Sequence, residues 1–172
     1  METFRIDGTA GRSFTLELEE CREIDEALVR TLIEIDLQTF SESTFSQYTA
    51  RAFLRNGRVF VLKADGHIIG TCVLMRSWDR PSEGLILSMG IRPGLRCRGL
   101  GHRFVQSIME RLQTMGLHAV SLMVSIDNRR AIRVYEETGF TVDETMERDS
   151  RTGEAFVVMR CRLGNGPELQ VV

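Results

Sequence analysis

Residues 84–101 read Gly84-Leu85-Ile86-Leu87-Ser88-Met89-Gly90-Ile91-Arg92-Pro93-Gly94-Leu95-Arg96-Cys97-Arg98-Gly99-Leu100-Gly101, and the change of pattern within them decides the fold. Up to Ile91 the run is nearly all apolar, as in a central strand buried on both faces. Pro93, Gly94 and Gly99 then impose a turn. From about Gly99 to Met115 the spacing is helical, with Phe104, Ile108 and Leu112 at intervals of four and Gly116 placed as the C-cap.

Working outward, the periodicities alternate. Phe14–Glu19 has a period of two and reads as a strand with one wet face. Residues 25–40 and 45–54 read as two helices, interrupted at Ser41-Glu42-Ser43-Thr44. Arg58–Lys63 and His67–Met75 read as a hairpin around Asp65-Gly66, because glycine tolerates the positive φ of such turns. Beyond the decisive stretch, residues 118–125 read as a strand, and Asp127 or Asn128 caps a helix that Gly139 closes. Residues 140–147 and 154–163 form two last strands. The expected order is β-α-α-β-β-β-α-β-α-β-β. The hairpin is antiparallel, whereas the strand-helix-strand passage implies a right-handed crossover and parallel pairing. The class is therefore α/β, an α+β mixed sheet covered by helices. Residues 14–163 are expected as a single domain, after a loosely ordered segment 1–13 and before a tail, 164–172.

Composition excludes several functions. The 172 residues carry a net charge of -2, against the basic excess of a dedicated nucleic-acid binder. No apolar run approaches the roughly 20 residues of a membrane span. The opening residues lack the basic-then-apolar order of a signal peptide, so a cytoplasmic protein is expected. Cys21, Cys72, Cys97 and Cys161 are far apart, as are the three histidines. That spacing offers no close ligand pair for a metal and implies reduced, mostly buried thiols.

The turn after Ile91 carries the chemistry. The first amides of a helix lack internal partners, and the helix dipole adds positive charge there. Glycines allow close backbone approach to an anion, and Arg96, Arg98 and Arg103 add full charges. The arrangement suits a diphosphate, or is a glycine-rich turn that merely starts a helix. It is not a Walker loop, which ends in Gly-Lys-Ser/Thr, nor a dinucleotide Gly-x-Gly-x-x-Gly, since Phe104 stands where the third glycine belongs.

Arg96-Cys97-Arg98-Gly99-Leu100-Gly101 resembles the Arg/Gln-x-x-Gly-x-Gly/Ala signature of the GCN5-related (GNAT) N-acetyltransferases. Residues 128–140, from Asn128 through Ala131 and Tyr135 to Gly139-Phe140, are similar to that family's Asn-x-x-Ala-x-x-x-Tyr-x-x-x-Gly-Phe segment. The likeness extends over residues 14–163 and is sharp over 84–140. Within the family it looks most like the ribosomal-protein N-terminal alanine acetyltransferase branch.

The resemblance implies transfer of an acetyl group from acetyl-coenzyme A, without a metal, to a primary amine of a small molecule or protein. Amides of Arg96, Cys97, Arg98, Gly99, Leu100 and Gly101 would hold the pyrophosphate. The backbone of Met89 and Ile91 would run beside the pantetheine, which Asn128 would also contact. Tyr135 would protonate the departing thiolate, unless it is a core aromatic. Asn128 can serve also as a helix N-cap. Glu83 is a candidate general base, directly or through water, or a solvated loop charge. The branch's usual glutamate is replaced by Met123, which cannot accept a proton; a non-catalytic acyl-coenzyme A sensor is the alternative. Residues 40–58 and the last hairpin would line the acceptor groove, with Phe40, Phe45, Tyr48 and Phe53 as aromatic walls. Open sheet edges would permit a homodimer.

Overall fold

The computed structural model describes residues 2–7, 13–23, 25–40, 45–95, 99–146, 148 and 153–164. The class is the α/β one expected, with a mixed sheet. The chain forms two compact units, Met1–Met75 with Ile86–Ser107, and Arg76–Leu85 with Ile108–Val172.

In the first unit the chain runs through β1 (Glu2–Asp7), β2 (Ser13–Cys21), α1 (Glu26–Phe40), α2 (Gln47–Asn56), β3 (Arg58–Ala64) and β4 (His67–Arg76). It then takes in most of β5 (Glu83–Ile91) and the first half of α3 (Leu100–Thr114). Strand order follows chain order, β1 to β5, with antiparallel pairing through β4. Asp65, at φ 47°, and Gly66, at φ 81°, turn β3 into β4 as the Asp-Gly signal requires. Asp25 Oδ1 accepts from Leu28 N at 2.6 Å and starts α1. Ser46 Oγ does the same for Thr49 N at 3.1 Å, starting α2.

The helices form because their apolar spacing finds a covered face. Leu28, Val29 and Leu32 of α1 pack with Phe45, Ala50 of α2, Val59 and Val61 of β3, and Val73 of β4. Each large side chain taken fully out of water there contributes roughly 1.5–3 kcal/mol. Val59, Phe60, Val61 and Leu62 of β3 and residues 69–74 of β4 are all buried, so these two strands are covered on both faces. β5 was expected to be so; Ile86 is buried, but Leu85, Leu87, Met89 and Ile91 keep part of their surface accessible. An apolar run reports what a strand tolerates, not what covers it.

Strand β1 lies within residues expected to be loosely ordered. Its backbone pairs with β2 from Glu2↔Leu18 to Asp7↔Ser13. Thr3, Phe4, Arg5 and Ile6 do alternate, but over too few residues to be read against their small, polar neighbours.

The second unit holds the start of β5, the rest of α3, β6 (Ala119–Ser125), α4 (Arg129–Glu137), β7 (Thr141–Thr145) and β8 (Phe156–Arg162). Its strand order is β6-β8-β7, both pairs antiparallel, so the last strand in the chain lies between the other two. Gly116, at φ 78°, ends the turn after α3, and Gly139, at φ 95°, the turn after α4. Ile108, Leu112, Val120, Leu122, Phe140 and Met159 are among the fully buried apolar residues around which the unit is built.

Candidate active site

The loop after β5 is anchored at its first residue. Arg92 N donates to Ile69 O at 2.8 Å, and Leu95 N returns to Arg92 O at 3.0 Å, closing a 3-10 turn over Pro93–Leu95. The guanidinium of Arg92 donates to both carboxylate oxygens of Glu34, at 2.8 and 3.2 Å, and to Ile68 O and Gln38 Oε1. That hydrogen bonding holds Glu34 below, and Arg92 above, their ordinary pKa. Arg92 is thus committed to α1. Arg96, Cys97 and Arg98 lie outside the described residues.

Gly99 re-enters at φ 72°, and its carbonyl accepts from Arg103 N at 3.0 Å in the first turn of α3. A Cβ on Gly99 or Gly94 would meet nothing within 4 Å. Gly99 is required by its backbone conformation, not by crowding, which refines the reason glycine was expected there. Leu100 and Gly101 follow as the first residues of α3, with Leu100 buried.

On β5 and α1 the structure brings together residues that sequence reasoning missed. Asp36 is the one buried carboxylate among the described residues, 2% exposed. Ser88 Oγ donates to its Oδ1 at 3.2 Å. Two residues on, a Cβ at Gly90 would lie 2.5 Å from Thr39 Oγ1 and 3.3 Å from Ile35 Cγ2, so helix and strand are in close approach. The signal was available in part: Asp36 follows Leu28, Leu32 and Ile35 on the apolar side of α1.

The expected aromatic walls divide. Phe45 is buried and meets half-buried Phe53 edge-on, ring centres 5.4 Å apart, whereas Phe40 and Tyr48 are exposed. Beside them an open groove of about 430 Å³ is lined by Arg30, Ile33, Glu34, Leu37, Phe45, Ser46 and Gln47.

In the second unit, Glu83 begins β5 and is no solvated loop charge. Its side chain is 13% exposed; Arg160 approaches it twice, Nη2 to Oε1 at 2.5 Å and Nε to Oε2 at 3.4 Å. Arg80 adds a contact at 3.4 Å. Asn128 is the N-cap of α4, its Oδ1 accepting from Ala131 N at 3.1 Å. Tyr135 is half-buried, its ring 5.6 Å from that of buried Phe140. Met123 faces Val158 across the β6–β8 ladder and is 51% exposed.

Burial pushes the Cys72 thiol up to about 12 and Cys21 up to about 11, so both are inert at neutral pH. Among the described residues no cluster of His, Cys, Asp or Glu is placed to hold a metal, and no helix is long and apolar enough to cross a membrane.

A strand that ends in an anchored turn, a left-handed glycine and a helix start is the arrangement on which the sequence resemblance rested. The family model for the acetyltransferase (GNAT) family matches residues 22–140. The chain belongs to that family. Among curated relatives, this GNAT chain is 33% identical over 87 residues to a mycothiol acetyltransferase of Paenarthrobacter aurescens, covering 49% of this chain and 27% of that protein. It is 26% identical over 108 residues to the spore coat polysaccharide biosynthesis protein SpsD of Bacillus subtilis, covering 63% and 35%. The matches thus span about a quarter to a third of those relatives' length. Among solved structures, the ribosomal-protein-S18-alanine N-acetyltransferase of Escherichia coli superposes with a TM-score of 0.76 at 16% identity, over 91% of this chain and 99% of that one. Spermidine N-acetyltransferase of Vibrio cholerae, in complex with coenzyme A and spermine, gives 0.70 at 16%, over 86% and 95%. At these identities the structures establish the GNAT fold.

Proposed function

We propose that this GNAT chain transfers an acetyl group from acetyl-coenzyme A to a primary amine, on a small molecule or a protein N-terminus or lysine. The observation that carries the reading is the end of β5 at Ile91 and the Pro93–Leu95 turn, with Arg92 tied to Glu34, and left-handed Gly99 at the start of α3, inside the family match. Similar structures in complex with coenzyme A support the donor.

In this reading the amides of residues 96–101 hold the pyrophosphate, and the backbone of Met89 and Ile91 aligns the pantetheine, with Asn128 contacting the same arm. A neutral amine attacks the thioester carbonyl; a backbone N–H of β5 stabilises the oxyanion. Tyr135 protonates the thiolate as it leaves. Glu83, fixed by Arg160 at the start of β5, is the candidate carboxylate that the sequence offers for the amine's proton, through water. Names of relatives point to quite different acceptors, among them the ribosomal protein S18 alanine and spermidine, so the acceptor is proposed only as a class. A homodimer fits the exposed edge strand β7.

The test is coenzyme A release across a panel of N-terminal peptides, lysine peptides, polyamines and amino sugars. Turnover with at least one acceptor, and a fall in kcat of about 10²-fold in Tyr135→Phe, is the expected result. Tyr135→Phe matching the parent would remove the assigned acid.

Exposed Met123, standing where a base is usual in the branch, favours a second reading, an acyl-coenzyme A sensor. It requires cofactor binding with no acetylated product from any acceptor.

A further inference from the structure

Both oxygens of Glu83 are occupied by arginine nitrogens, and Met123 has no basic atom. The chain carries another acceptor, on α1. Asp36 is buried in its C-terminal half, and Ser88, half-buried on β5, donates to it at 3.2 Å. Ser88 immediately precedes Met89, whose backbone lies along the acyl donor in the reading above.

We propose that Ser88 and Asp36 form a proton relay that takes the proton of the attacking amine. The relay rests on the acetyltransferase reading. Three features carry it. Ser88 keeps part of its surface accessible while Asp36 does not, so Ser88 is the member of the pair nearer a reactant and Asp36 stands behind it. Thr39 Oγ1, the neighbouring hydroxyl on α1, donates to Ile35 O at 2.6 Å and is occupied. Gly90 has no side chain where a Cβ would strike Thr39, which permits the close approach of α1 and β5 that lets Asp36 reach Ser88.

As the C–N bond forms, the amine's proton passes to Ser88 Oγ while the serine's own proton passes to Asp36 Oδ1. The C–S bond then breaks, and the thiolate takes a proton from Tyr135. Solvent collects the proton from Asp36 through Ser88 and returns one to Tyr135. Overall one proton moves from amine to thiol. Ser88 touches the substrate; Asp36 acts through it as a positioning and proton-holding residue.

The experiment uses the full chain and hydroxylamine as the amine probe. Hydroxylamine is small, mostly neutral at pH 7.5, and needs no tailored acceptor groove. Coenzyme A release gives kcat and KM, and calorimetry gives Kd for acetyl-coenzyme A. Ser88→Ala and Asp36→Asn should lower kcat by about 10²-fold, the scale of a lost general base, with Kd within about two-fold of the parent. Ser88→Thr, which keeps the hydroxyl, should recover most of the rate. Should Asp36→Asn fail to fold, Ser88→Ala and Ser88→Thr decide alone. Parent-like kcat in Ser88→Ala, equal losses in Ser88→Ala and Ser88→Thr, or a parent that binds acetyl-coenzyme A without releasing coenzyme A above the buffer rate would overturn the relay. A parent that does not bind acetyl-coenzyme A overturns the reading beneath it and the relay together.

Discussion

Arg92 grips both carboxylate oxygens of Glu34, at 2.8 and 3.2 Å, and so ties the residue that opens the loop after β5 to helix α1. The fork-on-fork geometry gives more orientation than energy, because Glu34 is exposed and the pair is screened by solvent. Its worth is about 0.2–1 kcal/mol.

That pair has a pH signature. Glu34 is held below its ordinary value of 4.5, chiefly by the hydrogen bond from Arg92. A carboxylate depressed in the folded state adds stability that is fully present above its unfolded pKa and lost as pH falls through the folded one. Glu34→Gln should therefore be slightly less stable than the parent at pH 7, and the difference should shrink below pH 4.5. Denaturant midpoints across pH 2.5–7 check it; a gap that stays constant across that range would contradict the assignment.

Gly99 and Gly94 separate conformation from space. Neither has a neighbour within 4 Å of a would-be Cβ, but only Gly99 has positive φ, at 72°. Gly99→Ala should cost about 1–2 kcal/mol and weaken acetyl-coenzyme A binding, while Gly94→Ala should be within about 0.5 kcal/mol of the parent. Urea unfolding and calorimetry of both variants read the two effects; equal costs would contradict it.

Gly90 tests the approach of α1 to β5. A Cβ there would lie 2.5 Å from Thr39 Oγ1. Gly90→Ala should cost about 1–3 kcal/mol, the range of an overpacked site. Combined with Thr39→Ala the cost should be well below additive, since the clashing atom is gone. An additive double-mutant cycle would show that the crowding lies elsewhere.

Much of this architecture is legible in the sequence because local signals agree with one another. Asp65-Gly66 marks its hairpin, Gly116 and Gly139 mark helix ends, and the period-four stripe of Phe104, Ile108 and Leu112 gives α3. Strand β1 is not legible, because its period of two is short and its pairing edge comes from β2. Nor is the site fully so. Glu83 could be named a candidate but not paired with Arg160, since 77 residues separate them and only the fold brings strand and strand together. The Asp36–Ser88 contact, across 52 residues, was hidden for the same reason, although an acid on the apolar side of α1 was its trace.

The central claim, that the loop from Ile91 to Gly101 holds the pyrophosphate of acetyl-coenzyme A, is tested most directly by thermal unfolding with and without that ligand, beside ATP and nicotinamide dinucleotide. At about 100 times Kd the ligand should add about 2.7 kcal/mol, raising Tm by several degrees, with no comparable rise for the controls. No shift at millimolar acetyl-coenzyme A, or an equal shift with ATP, would contradict it.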